Sequence, residues 1–113
     1  MKISLNGFGE AVATFEAESG VTAGAPVKMV GNGVVGGCAE KEGFCGVAVS
    51  LRGGYAAVQL RGYVVLPYAG TAPAVGYQTL SAAGGGKVQV DSTGRSLLVT
   101  DVDTTAQTCG IIL

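Results

Sequence analysis

Residues 44–65 read FCGVAVSLRGGYAAVQLRGYVV, and their pattern decides the fold class. Two runs rich in β-branched residues, 44–52 and 55–65, flank Gly53-Gly54. A Gly-Gly pair between alternating apolar runs marks a two-residue hairpin, because glycine takes positive φ at little steric cost. Such a hairpin puts Leu51 opposite Ala56, Val49 opposite Val58 and Val47 opposite Leu60, one face expected to be core. The opposite face carries Arg52/Tyr55, Ser50/Ala57, Ala48/Gln59 and Gly46/Arg61. It is small and polar with Arg and Tyr at its ends, suited to solvent or another subunit.

Outward from this hairpin the same grammar repeats. Val27-Lys28-Met29-Val30-Gly31 meets Asn32-Gly33 and returns through Val34 to Cys38, a second hairpin in which Asn-Gly predicts a type I′ turn. Ala11, Ala13, Phe15 and Ala17 alternate with Val12, Thr14 and Glu16, so residues 11–17 read as a strand rather than a short helix. Pro67 ends the strand before it, since proline cannot donate to a ladder. Residues 77–80 read as a short strand and 82–86 as a turn. Residues 87–90 and 96–102 flank 91–95 as a third hairpin, and 108–113 form a closing apolar strand. The expectation is an all-β chain: a small antiparallel β-barrel or β-tulip-like domain built from hairpins over residues 11–113. Residues 1–10 form an N-terminal arm whose Ile3, Leu5 and Phe8 order on a neighbouring subunit.

Composition narrows the function. The 113 residues carry 7 Lys+Arg and 8 Asp+Glu, a formal charge of −1. With a pI near 5.2, the clustered positive charge that nucleic-acid binding needs is absent. Histidine is missing, which removes Ser-His-Asp and Cys-His catalysis and histidine metal sites. No unbroken apolar run is long enough for a membrane-spanning helix, and no secretory signal is read at the start. A mean hydropathy of +0.45 with 13% charged residues points to surface hidden in an oligomer or lattice.

Candidate chemical motifs dissolve on inspection. Gly31-Asn32-Gly33-Val34-Val35-Gly36 has dinucleotide-binding spacing, but neither a helix nor the acidic residue about twenty positions on accompanies it. Cys38, Cys45 and Cys109 are an odd number and too few for a metal site, so they read as small buried hydrophobes; a Cys38–Cys45 pair is allowed only if their strands are adjacent. Asp101 and Asp103 share one strand face and offer a carboxylate pair or a Ca²⁺ site, against the plainer reading of a solvated strand end. No cofactor is expected.

A family resemblance adds to this reading. Gly20-Val21-Thr22-Ala23-Gly24-Ala25-Pro26-Val27, then Phe44-Cys45-Gly46-Val47-Ala48, then Val58-Gln59-Leu60-Arg61-Gly62-Tyr63-Val64-Val65-Leu66-Pro67 and Val75-Gly76-Tyr77, resemble the small phage and prophage capsid decoration proteins of the DUF2190-like kind. The order and spacing of these phrases, spread over residues 20–113, carry the likeness; Gly36-Gly37-Cys38 and Asp101-Val102-Asp103 depart from it. The resemblance implies a homo-oligomer, a trimer, seated on the head surface of a virion, made in the bacterial cytoplasm and bridging major capsid subunits without catalytic residues. The expected interface residues are Ile3, Leu5, Phe8, Tyr55, Arg61, Tyr63 and Tyr68. Two other classes stand beside this one: a small β-barrel binding sugar or peptide through Tyr63, Tyr68 and Tyr77, and an enzyme using Asp101 and Asp103.

Overall fold

Ten strands fill the computed structural model, which describes residues 9–113, and no helix occurs among them. Ile3, Leu5 and Phe8 lie outside the described residues. Strands β1 (Ala11–Ala17), β2 (Pro26–Gly31), β3 (Val34–Gly37), β4 (Gly46–Arg52) and β5 (Tyr55–Arg61) close into a barrel in the order β1-β3-β2-β4-β5. Strand β1 closes it, antiparallel to β5 and parallel to β3 at Glu16↔Val34 and Ala17↔Val35. Strands β6 (Tyr63–Pro67), β7 (Gly76–Gly84), β8 (Lys87–Val90), β9 (Arg95–Asp103) and β10 (Thr108–Ile112) form a second sheet, β6-β10-β9-β7-β8. Its two edges meet at a single parallel bridge, Tyr68↔Val88, secured by Ala69 N–H donating to the Val88 carbonyl at 2.9 Å.

The interior divides accordingly. Val27, Val35, Ala48, Ala56 and Val58 fill the barrel. They are small because five strands leave a narrow lumen. Leu66, Leu80, Val88, Val99, Cys109 and Ile111 fill the second sheet, joined by Phe44 and Val47 from the barrel half. Val47 and Ala48 are neighbours, so successive residues of β4 point into different cores.

The Gly53-Gly54 hairpin forms with positive φ at both glycines, and its first three pairs, Arg52↔Tyr55, Leu51↔Ala56 and Ser50↔Ala57, follow the sequence reading. Beyond them a bulge at Val49 shifts the register, giving Ala48↔Val58 and Val47↔Gln59. Val49 and Leu51, expected in the core, are instead 47% and 42% exposed. The bulge bends β4 so that it serves both cores. The Asn32-Gly33 turn also differs from expectation. Only Gly33 has positive φ, so the turn is not type I′, and the register shifts between Met29 and Gly31.

Two further boundaries were invisible in the pattern. The run 55–65 breaks at Gly62 (φ 102), which delivers β5 to the barrel and β6 to the second sheet. Gln59 Nε2 bridges the break, donating to the carbonyls of Arg61 at 3.1 Å and Tyr63 at 3.3 Å. The third hairpin is β7–β8, not β8–β9. Strand β7 runs through the expected turn at 82–84 and pairs with β9 over its first half and β8 over its second. Residues 91–94 carry the chain across β7 at Leu80. Gly94 lies so close to the Leu80 backbone that a Cβ there would collide with it.

Loop 38–45 couples the halves. Lys41 N–H donates to the Ala82 carbonyl at 2.7 Å, and Ala82 N–H donates to the Glu42 carbonyl at 2.9 Å. From the other side, Arg95 Nη1 donates to the carbonyls of Phe44 at 3.4 Å and Cys45 at 3.2 Å.

Candidate functional site

Alternation along β6, β7, β9 and β10 leaves an apolar row on the outer face of the second sheet. Tyr77↔Leu98, Leu98↔Ile112 and Ile112↔Tyr63 are cross-strand partners, so four side chains line up across four strands. Val65 lies alongside, paired with Gly110. Tyr77 is 74% exposed and Val65 54%. In the middle of this face Tyr63 Oη donates to Asp101 Oδ1 at 3.0 Å, and Thr100 Oγ1 donates to the same oxygen at 2.6 Å. The ring of Tyr63 reaches from β6 to β9 above Gly110, where a Cβ would meet both partners. Burial, and then the Asp101 carboxylate, hold the Tyr63 hydroxyl above its ordinary pKa.

A second surface lies on the barrel wall. Glu16, Tyr55 and Arg52 are register partners across β1, β5 and β4, with Tyr55 between an acid and a cation. Val12 and Tyr55 are more than half exposed on this wall, and Arg61 stands exposed at the end of β5. Of the expected interface residues, Tyr55, Arg61 and Tyr63 thus reach the outer surface. Tyr68 does not: it is 5% exposed and belongs to the second core, because the Tyr68↔Val88 bridge draws it inward.

The alternatives for chemistry are taken apart by the same geometry. Asp103 Oδ1 accepts the N–H groups of Thr105 and Ala106, both at 3.0 Å, so it closes the turn after β9. Asp101 is engaged by Tyr63 and Thr100, and the two carboxylates do not act on a shared space. No group of three His, Cys, Asp or Glu side chains able to hold a metal exists among the described residues. Tyr63, Tyr68 and Tyr77 do not converge, since Tyr68 faces inward and Tyr77 outward. A cleft of about 230 Å³ lies where barrel and second sheet meet, but glycines such as Gly37 and Gly85 form much of its lining and no tyrosine contributes. Cys38 packs on the second core and Cys45 on the barrel core. Burial, and then the Glu42 carboxylate, push the Cys38 thiol up to about 11, so it is not an activated nucleophile.

Sequence reasoning missed Gln59 and Ser81, the two buried polar residues of the described chain. Gln59 spans the Gly62 break, and Ser81 Oγ donates to Asp91 Oδ2 at 2.9 Å to anchor the crossing turn. A polar residue inside an apolar strand run was the available signal. No protein-family model and no curated protein matches the chain.

Proposed function

We propose that this chain is a structural protein of a viral shell, a decoration protein that meets copies of itself and the major capsid protein through flat apolar faces. The observation that carries this reading is the outer row Tyr77, Leu98, Ile112 and Tyr63. It is a sheet face of apolar and aromatic side chains that includes a hydrogen-bonded tyrosine, the composition of a protein contact and not of a ligand pocket. The phrases that carry the resemblance sit where they shape the fold. Pro26 opens β2, Gly46 opens β4, Gly62 redirects the chain between sheets and Gly76 opens β7. Two coupled, hydrogen-bonded cores suit a part that works by stiffness. Each contact with a shell can be weak, since several copies held together gain avidity of ~10²–10⁴. The sugar- or peptide-binding reading through Tyr63, Tyr68 and Tyr77 loses its premise, because Tyr68 is buried while Tyr77 faces outward.

The test is co-expression with the major capsid protein of the genome that encodes the chain. The chain should travel with assembled heads in a sucrose gradient and raise the temperature at which they release DNA. A chain that stays at the top of the gradient overturns the proposal.

A further inference from the structure

The outer face of the second sheet and the barrel wall, both apolar and exposed, differ in their charges. On the outer face of the second sheet the strands β6, β9 and β10 around the apolar row bear only acids, Asp101 and, at one corner, Asp103; Arg95 turns toward the Phe44 and Cys45 carbonyls, and the exposed Lys87 of β8 lies at the far end of β7 from Tyr77. The barrel wall carries Arg52 and Arg61 among Val12 and Tyr55, with Glu16 beside Tyr55. Packing the outer face on itself would bring the Asp101 carboxylates of two copies toward each other, and like charges so juxtaposed oppose association. Packing it on the wall brings acids to arginines and apolar side chains to apolar side chains.

We infer that the chain associates head to tail: the Tyr77–Leu98–Ile112–Tyr63 face of one copy docks on the Val12–Tyr55–Arg52 wall of the next. The inference rests on the reading of the chain as an assembly protein and names its self-contact. It does not depend on which shell is decorated. Such a contact is heterologous, so a joined pair still offers one free face and one free wall, and the assembly closes into a ring or continues as a filament. Two contacts of the common size, ~800 Å² per partner, would cover about a quarter of the 6132 Å² surface. The low charge of the chain then has a use, because charge is depleted at the centres of such contacts.

Mixing two blocked variants tests this. One carries Val65→Lys and Tyr77→Lys on the outer face; the other carries Val12→Lys and Tyr55→Lys on the wall. All four positions are exposed, and thermal unfolding by circular dichroism checks that both variants fold. Light scattering over a concentration series should show the wild type growing beyond two copies. Each variant alone should associate at least ~10-fold more weakly than the wild type. Mixed together, the two should form a 1:1 complex of twice 11.2 kDa, since one intact face and one intact wall remain. A mixture that stays monomeric, a blocked variant that still self-associates, or a wild type monomeric at every concentration overturns the inference. The gradient experiment reads shell binding separately, so failure of the self-contact and failure of the shell reading give different results.

Discussion

Tyr63 and Asp101 belong to strands that do not touch, and their side chains meet over the one between. Tyr63 lies on β6 and Asp101 on β9. The hydrogen bond of 3.0 Å spans β10 at Gly110, the residue whose missing side chain leaves the space. Gly110 is itself paired with Val65 on one side and Asp101 on the other, so the gap is fixed by register. Replacement of Gly110 by alanine should therefore cost about 1–3 kcal/mol through overpacking. Tyr63→Phe should cost about 1 kcal/mol for the lost hydrogen bond. Urea midpoints measure both. A Gly110→Ala protein as stable as wild type would mean the ring does not lie over this glycine.

Gly94 should be less forgiving than Gly110. Its obstacle is the Leu80 backbone, which cannot swing aside as a tyrosine ring can. Gly94→Ala is expected to cost about 3 kcal/mol, at the upper end for overpacking. Gly85→Ala is the control. Gly85 has φ 60 with open space around its Cβ, so only conformational strain of about 1 kcal/mol applies. The order of the two urea midpoints checks the crossing at Leu80.

Stability should fall at alkaline pH. Burial pushes the Cys38 and Cys109 thiols up to about 11 from their ordinary 9.0, and the Tyr63 hydroxyl is held above 10.0. All three groups keep their protons more firmly in the folded chain than in the unfolded one. Their contribution is complete below the unfolded values and is lost as pH rises from about 9 through 11. Urea midpoints taken under reducing conditions should drop across that window. Replacing Cys38 and Cys109 together by alanine should flatten its first part, each single replacement only partly, and Tyr63→Phe should flatten the part above pH 10.

Acid should act with the opposite sign on another pair of groups. The Thr93 N–H, then the Ser81 hydroxyl, hold the Asp91 carboxyl below its ordinary 3.8. The Lys28 ammonium, then the Ala39 N–H, hold Glu42 below 4.5. These groups stabilise the fold above their ordinary values, and the gain is lost as pH falls through the depressed ones. Asp91→Asn should flatten the acid limb of the stability curve while lowering its pH 7 plateau. An unchanged limb would show that the crossing turn does not depend on the Asp91 charge.

The three thiols should be quiet at pH 8. Cys109 is 1% exposed, and Cys38 is pushed up to about 11. Iodoacetamide should label the native chain slowly and the urea-unfolded chain at three sites. Cys38 and Cys45 pack on different cores, so mild oxidation should leave their mass unchanged. Loss of two hydrogens between them would show that loop 38–45 rearranges.

Much of the fold was written in local pattern. The Gly53-Gly54 hairpin, the β1 strand and the outward placement of Tyr55, Arg61 and Tyr63 all follow from period-two alternation and turn chemistry. The errors share one cause. A bulge at Val49 and a break at Gly62 each change which face a side chain takes, and neither leaves a mark in hydropathy. Tyr68 is an apolar, hydrogen-bonding residue that suits an interface or a core equally, and only the bridge to Val88 chooses. The β8–β9 hairpin failed for a related reason: Asp91 to Arg95 is good turn sequence, yet the turn crosses a strand instead of joining two.

The amino-acid sequence by itself determined that this chain is all β, because alternation and glycine punctuation act between residues a few positions apart. The tertiary structure alone decided that the strands divide into a barrel and a second sheet, and which apolar residues remain outside. Those outcomes depend on register shifts and strand partners set by contacts far apart along the chain, which local pattern does not encode.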